Sequence, residues 1–104
     1  MKRMDKVLSL LGLAARGRNL VSGEFSTEKA VKEGKAQLVI VSKDASDNTK
    51  KLFTDKCNYR DIPIYYYSEK EMLGKAIGKS MRTSVAVTDP GMAATIAKHL
   101  EDQK

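Results

Sequence analysis

The run Leu38-Val39-Ile40-Val41 constrains this chain more than any other stretch. Three of its four residues are β-branched, which favours extended backbone. A strand turns successive side chains to opposite faces of its sheet. One that is apolar at every position is therefore covered on both faces.

The flanking segments read as that cover. Met4, Val7, Leu8 and Leu11 recur at helical spacing, so residues 4–15 form an amphipathic helix, with Gly17 placed to end it. Residues 19–22 form a short strand. A second helix runs from Gly23 to about Glu33, with Ala30 and Val31 facing the core and Gly34 as its stop. Ser46 can cap a third helix whose buried positions are Thr49, Leu52, Phe53 and Cys57. After Pro63, Ile64-Tyr65-Tyr66-Tyr67 is a strand, and Ser68-Glu69-Lys70-Glu71 reads as a capping box. The box opens a fourth helix with Met72, Leu73, Ala76 and Ile77 apolar and Gly78 as terminator. Residues 83–88 form the last strand. Asp89-Pro90 then opens the last helix, with cap before proline and Met92, Ile96 and Leu100 inward.

This alternation predicts an α/β fold: a three-layer α/β/α sandwich around a mixed sheet of about four strands. With 104 residues and no linker, repeat or low-complexity run, residues 1–104 are expected to form one domain. Apolar runs reach four or five residues, too short to cross a bilayer, so no membrane partner is expected. The basic start is followed by helical spacing rather than a secretory signal. The single Cys57 cannot form an internal disulfide, which fits a reducing cytoplasm.

The net charge is +6, and it is uneven: residues 1–35 carry eight Lys/Arg against four Asp/Glu. Within that part, Val21-Ser22-Gly23 leads into a helix bearing Lys29. A strand-to-helix corner with glycine at the bend leaves the first helical N–H groups unpaired and facing outward, where anions bind. A localised basic surface is the electrostatic footprint of a nucleic-acid binder, although excess charge also serves solubility alone.

Catalytic chemistry is poorly served. Gly74-Lys75-Ala76-Ile77-Gly78-Lys79-Ser80 ends like a phosphate loop but has three residues between its glycines instead of four. It also follows a helix instead of a strand. Gly12 to Asn19 has the right gap but offers Arg18 and Asn19 where Lys and Ser/Thr belong. One His and one Cys cannot supply a usual zinc set. His99 suits a helix C-terminus, and Cys57 suits a small core position. Asp44 and Asp89 follow strands, where a catalytic carboxylate could sit, but both precede helices and read as caps. The tyrosines at 65–67 alternate faces, with at least one ring toward the core. No enzyme activity, cofactor or metal is expected.

Taken in order, several segments resemble the kink-turn-binding ribosomal protein family, of archaeal L-seven-Ae and eukaryotic L-thirty-e type. They are Val21-Ser22-Gly23, Lys29-Ala30-Val31 with Gly34, Ala36 to Val41 with Asp44, Ile62-Pro63-Ile64-Tyr65 after Cys57, Leu73 to Gly78, and Ser84 to Val87. Leu10 to Arg16 and Asp44 to Lys51 are similar to its bacterial YlxQ-type branch. The likeness runs from about Val7 to Ala97 and implies the same α/β/α sandwich.

The resemblance further implies RNA binding through the glycine corner, the first turns of the second helix and the loop before the last strand. Carried over, these residues are Gly23, Phe25, Ser26 and Lys29, with Lys79, Ser80, Met81 and Arg82. Gly23 would let backbone approach RNA, Lys29 would reach a phosphate or guanine edge, and Met81 would offer apolar surface to an extruded base. Kink-turn binders commonly carry an Asn-Glu pair where this chain has Phe25-Ser26. Phe25 can stack on a base or cover the core. Arg16, Arg18, Lys32 and Lys35 are expected to add phosphate contacts.

The expectation is a cytoplasmic, monomeric, non-catalytic binder of structured RNA, ribosomal or kink-turn-like, associated with ribosomes. The alternative is a protein–protein adaptor of the translation or transcription machinery whose basic face attracts RNA weakly.

Overall fold

In a computed structural model of the chain, residues 5–103 are described. The elements are α1 (Lys6–Arg16), β1 (Leu20–Ser22), α2 (Glu24–Lys32), β2 (Leu38–Val41), α3 (Asp47–Tyr59), β3 (Ile64–Tyr66), α4 (Lys70–Ala76), β4 (Ser84–Val87) and α5 (Pro90–Asp102). The expected order is reproduced, and Met4 lies outside the described residues. The four strands form one mixed sheet in the order β1-β4-β2-β3. Strand β4 runs antiparallel to both β1 and β2, while β2 and β3 are parallel.

The apolar run does what its composition requires. Leu38 and Ile40 join Val7, Leu11, Leu73, Ile96 and Leu100, from α1, α4 and α5, in one core layer. Val39 and Val41 join Ala30, Val31, Phe53 and Cys57, from α2 and α3, in the other. Strand β4 divides the same way, with Val85 and Val87 toward the first layer and Ala86 toward the second.

Several local expectations need correction. The capping box at residues 68–71 does not form. Ser68 adopts a left-handed φ of 61°, and its carbonyl accepts from the Lys43 N–H at 2.8 Å. Helix α4 starts after Glu69 with no cap from that side chain; the Lys70 N–H donates to Asp44 Oδ1 at 3.0 Å. Asp44 therefore caps α4 across space, while Ser46 caps the helix that follows Asp44 in the chain.

In α3, Phe53 and Cys57 are buried as expected, but Thr49 and Leu52 are only half-buried. Tyr65 and Tyr67 pack against the first core layer, and Tyr66 faces outward, hydrogen-bonded to Thr54. Gly17 caps α1 with an ordinary φ of −87°, and the left-handed residue beyond it is Arg18 at 62°.

Candidate nucleic-acid interface

Gly23 turns the chain from β1 into α2 with φ 92° and ψ 156°. An L-residue resists that conformation, whereas glycine adopts it freely. Its N–H donates to Ser84 O at 2.9 Å, and its carbonyl accepts the first helical bond, from Thr27 N–H, at 2.9 Å. The N–H groups of Glu24, Phe25 and Ser26 thus have no partner within the helix, and a glycine offers no side chain to cap them. They emerge at the positive end of the helix dipole.

Phe25 stands 80% exposed beside these amides. Of the two roles open to it, covering the core is thereby overturned. Ser26 is half-buried one residue further. Lys29, sixth in α2, is exposed and forms no ion pair with any described residue. Lys32 and Lys35 differ. Lys32 pairs with Glu28 at 3.3 Å, a carboxylate it shares with Lys56, and Lys35 pairs with Glu33 at 3.4 Å.

The second component is the loop between α4 and β4. Gly78 takes φ 76°, the Lys79 N–H closes the helix end on Gly74 O at 2.8 Å, and the Arg82 N–H reaches back to Lys70 O at 3.0 Å. The loop lies so close along α4 that a Cβ on Gly74 would come within 1.6 Å of Ser80 O. Lys79, Ser80 and Met81 face solvent, Met81 at 55% exposure.

Strand pairing brings the two components together. Ser22 lies opposite Val85 in the β1–β4 ladder, so the corner that leaves β1 and the loop that enters β4 share one end of the sheet. Arg82 spans the junction. Its Nε donates to Ser22 Oγ at 3.2 Å, and one terminal nitrogen donates to Met81 O at 2.9 Å and Ser80 Oγ at 3.3 Å. Its guanidinium is half-buried and fixed in place.

Arg16, Arg18 and Lys79 line a hollow of about 480 Å³ whose wall includes Ser22 and Gly78. Arg18 holds a left-handed backbone there, which costs an L-residue roughly 1–2 kcal/mol. Gly23, Phe25 and Ser26 thus gather with residues 79–82 at one end of the sheet. Lys29 and Lys32 line one hollow on α2 with Phe25 and Glu28, and Lys35 lies past the far end of that helix. Arg16 and Arg18 precede β1 at its other end and meet Ser22 and Lys79 only along the 480 Å³ hollow. Ser22 and Gly74 hold supporting roles beyond the expected residues. A glycine inside a helical pattern was a readable signal for Gly74; nothing local marked Ser22.

No group of three metal-ligating side chains occurs among the described residues. No described helix is long and apolar enough to cross a membrane.

The profile of the Ribosomal protein L7Ae/L30e/S12e/Gadd45 family matches residues 5–97. The chain is 46% identical over 92 residues to the RNA-binding protein YlxQ of Bacillus subtilis (strain 168), covering 88% of this chain and 92% of that protein. It is 34% identical to the RNA-binding protein YlxQ of Enterococcus faecium, over 93% of both chains. Among solved structures, a Bacillus halodurans protein of unknown function superposes with a TM-score of 0.91 at 45% identity, over 94% of this chain and 99% of that one. The Giardia lamblia 15.5kD RNA binding protein shares the fold, with a TM-score of 0.79 at 21% identity, over 96% and 89% of the two chains. With nearly its whole length matched in one colinear order, this chain belongs to the ribosomal protein L7Ae/L30e/S12e/Gadd45 family.

Proposed function

We propose that this protein is a non-catalytic RNA-binding protein of the cytoplasm that receives structured RNA at the end of the sheet where β1 and β4 meet. The reading rests on the Arg82–Ser22 bond, which joins the glycine corner to the loop at 78–82 as one surface. Uncapped amides at the start of α2 suit a phosphate. Phe25 and Met81 supply exposed apolar surface on which unstacked bases can lie. Lys29, Arg16, Arg18 and Lys79 surround these features with positive charge. The YlxQ proteins it matches carry RNA binding in their names.

Selection for a kink-turn is the finer part of the proposal. A bent internal loop would offer both a sharply turned backbone for the corner and extruded bases for Met81. Gel-shift titrations against a kink-turn RNA and a straight duplex of matched length test it. Tighter binding to the kink-turn is expected, with affinity falling as salt rises by about 0.7–0.9 log units per log unit for each phosphate neutralised. Equal affinity for the two RNAs removes the kink-turn, and failure to bind either them or total structured cellular RNA removes the function. Ribosome association is read separately, from co-sedimentation with ribosomes on a sucrose gradient.

A further inference from the structure

A second hollow, of about 520 Å³, lies between α1 and α4. Its α1 wall presents Ser9, Leu13 and Arg16, which follow one another by four and three residues, and its α4 wall presents Met72 and Lys75, three apart. Leu13 is 52% exposed and Met72 47%, although both are large apolar side chains. The floor is tight. A Cβ on Gly12 would stand 2.8 Å from Ala76 O, so glycine is what lets the helices approach there. The result is an apolar seam along two helices, open to solvent, with one cation on each wall and no carboxylate among its lining residues.

We propose that this groove docks an acidic amphipathic helix of a protein partner. An open seam cannot enclose most of a small molecule's surface, as ligand pockets do. It does match the face of a helix carrying apolar side chains at i, i+3 or i+4, and i+7. Leu13 and Met72 meet those side chains, while Arg16 and Lys75 meet glutamates or aspartates on the flanks of the incoming helix. Charge complementarity of this kind selects the acidic partner and rejects a basic one. The flexible thioether of Met72 tolerates variation in what it packs against. Nucleotides would find uncapped amides and an aromatic ring at the glycine corner, whereas this seam has no aromatic ring and is mostly aliphatic between its two cations.

The test is selection of a displayed library of amphipathic helical peptides on the intact protein, with counter-selection on the Leu13→Glu/Met72→Glu double variant. The expected outcome is enrichment of peptides with helical apolar spacing and acidic flanks. These should bind the double variant at least tenfold more weakly than the parent protein. Binding lost with Lys75→Glu should return when a flanking glutamate of the peptide becomes lysine. If the double variant fails to fold, Leu13→Ala/Met72→Ala removes the apolar walls without adding charge and reads the same loss. The proposal is overturned by no enrichment, by enrichment of basic peptides, or by peptides that bind parent and variant equally. It is also overturned if a folded double variant loses RNA affinity while no peptide enriches, because the groove would then be part of the RNA surface.

Discussion

Arg82 donates from Nε to Ser22 Oγ across 3.2 Å, linking residues that are 60 positions apart in the chain. The bond fixes a guanidinium at the seam between the glycine corner and the loop before β4. A partly exposed hydrogen bond of this kind contributes about 1 kcal/mol at most to stability. Ser22→Ala should therefore lower the urea midpoint by no more than about 1 M. Arg82→Ala should cost about 1–3 kcal/mol of RNA affinity in gel-shift titrations, and Ser22→Ala less, since it frees the guanidinium without removing it.

Lys29 and Lys32 provide a matched comparison on one helix. Lys32 has Glu28 at 3.3 Å, whereas Lys29 pairs with no described carboxylate. Lys29→Ala should weaken RNA binding by roughly 1–3 kcal/mol and lower the salt slope by about 0.7–0.9. Lys32→Ala should do clearly less. Equal losses would show that the Glu28 pair gives way when RNA arrives.

The two most informative glycines fail for different reasons. Gly23 has φ 92°, ψ 156° and open space around its missing Cβ, so Gly23→Ala introduces backbone strain alone, about 1–3 kcal/mol by denaturant unfolding. Gly74 has Ser80 O where its Cβ would stand, so Gly74→Ala must displace backbone. It should cost 2 kcal/mol or roughly more, and it should loosen residues 79–82 in hydrogen exchange.

Cys57 is buried, and desolvation raises its thiol to about 11 from an ordinary value of 9.0, against a small opposing effect of Arg60. Below pH 9 the thiol is protonated in both folded and unfolded chains and adds no pH dependence. Between pH 9 and 11 the unfolded chain releases this proton first, so stability falls as pH rises. Tyr67, raised by burial and by its bond to Asp5, acts in the same direction at higher pH. Unfolding midpoints followed across that range should drop less steeply in Cys57→Ala. The native thiol should also resist alkylation until the protein is unfolded.

How far the sequence could be read depended on the range of the forces involved. The apolar run at 38–41, the Ser46 and Asp89 caps and the Gly34 and Gly78 stops are local devices, and each sits where the sequence placed it. Asp44 was readable as a cap, but its helix is set by how β2 and β3 end side by side, which no neighbour in the chain reveals. The residues around Gly23 and Arg82 were legible through family resemblance, and their junction through Ser22 only through strand pairing. The cations could be counted, but that Glu28 holds both Lys32 and Lys56 depends on α2 lying beside α3.

The close passage of Ser80 over Gly74 has a thermodynamic corollary. A segment already pressed against its own helix surrenders its conformational freedom when the protein folds, not when a partner arrives. If RNA seats there as proposed, the loop's outer edge would meet it as a rigid template, and any reshaping would fall on the nucleic acid.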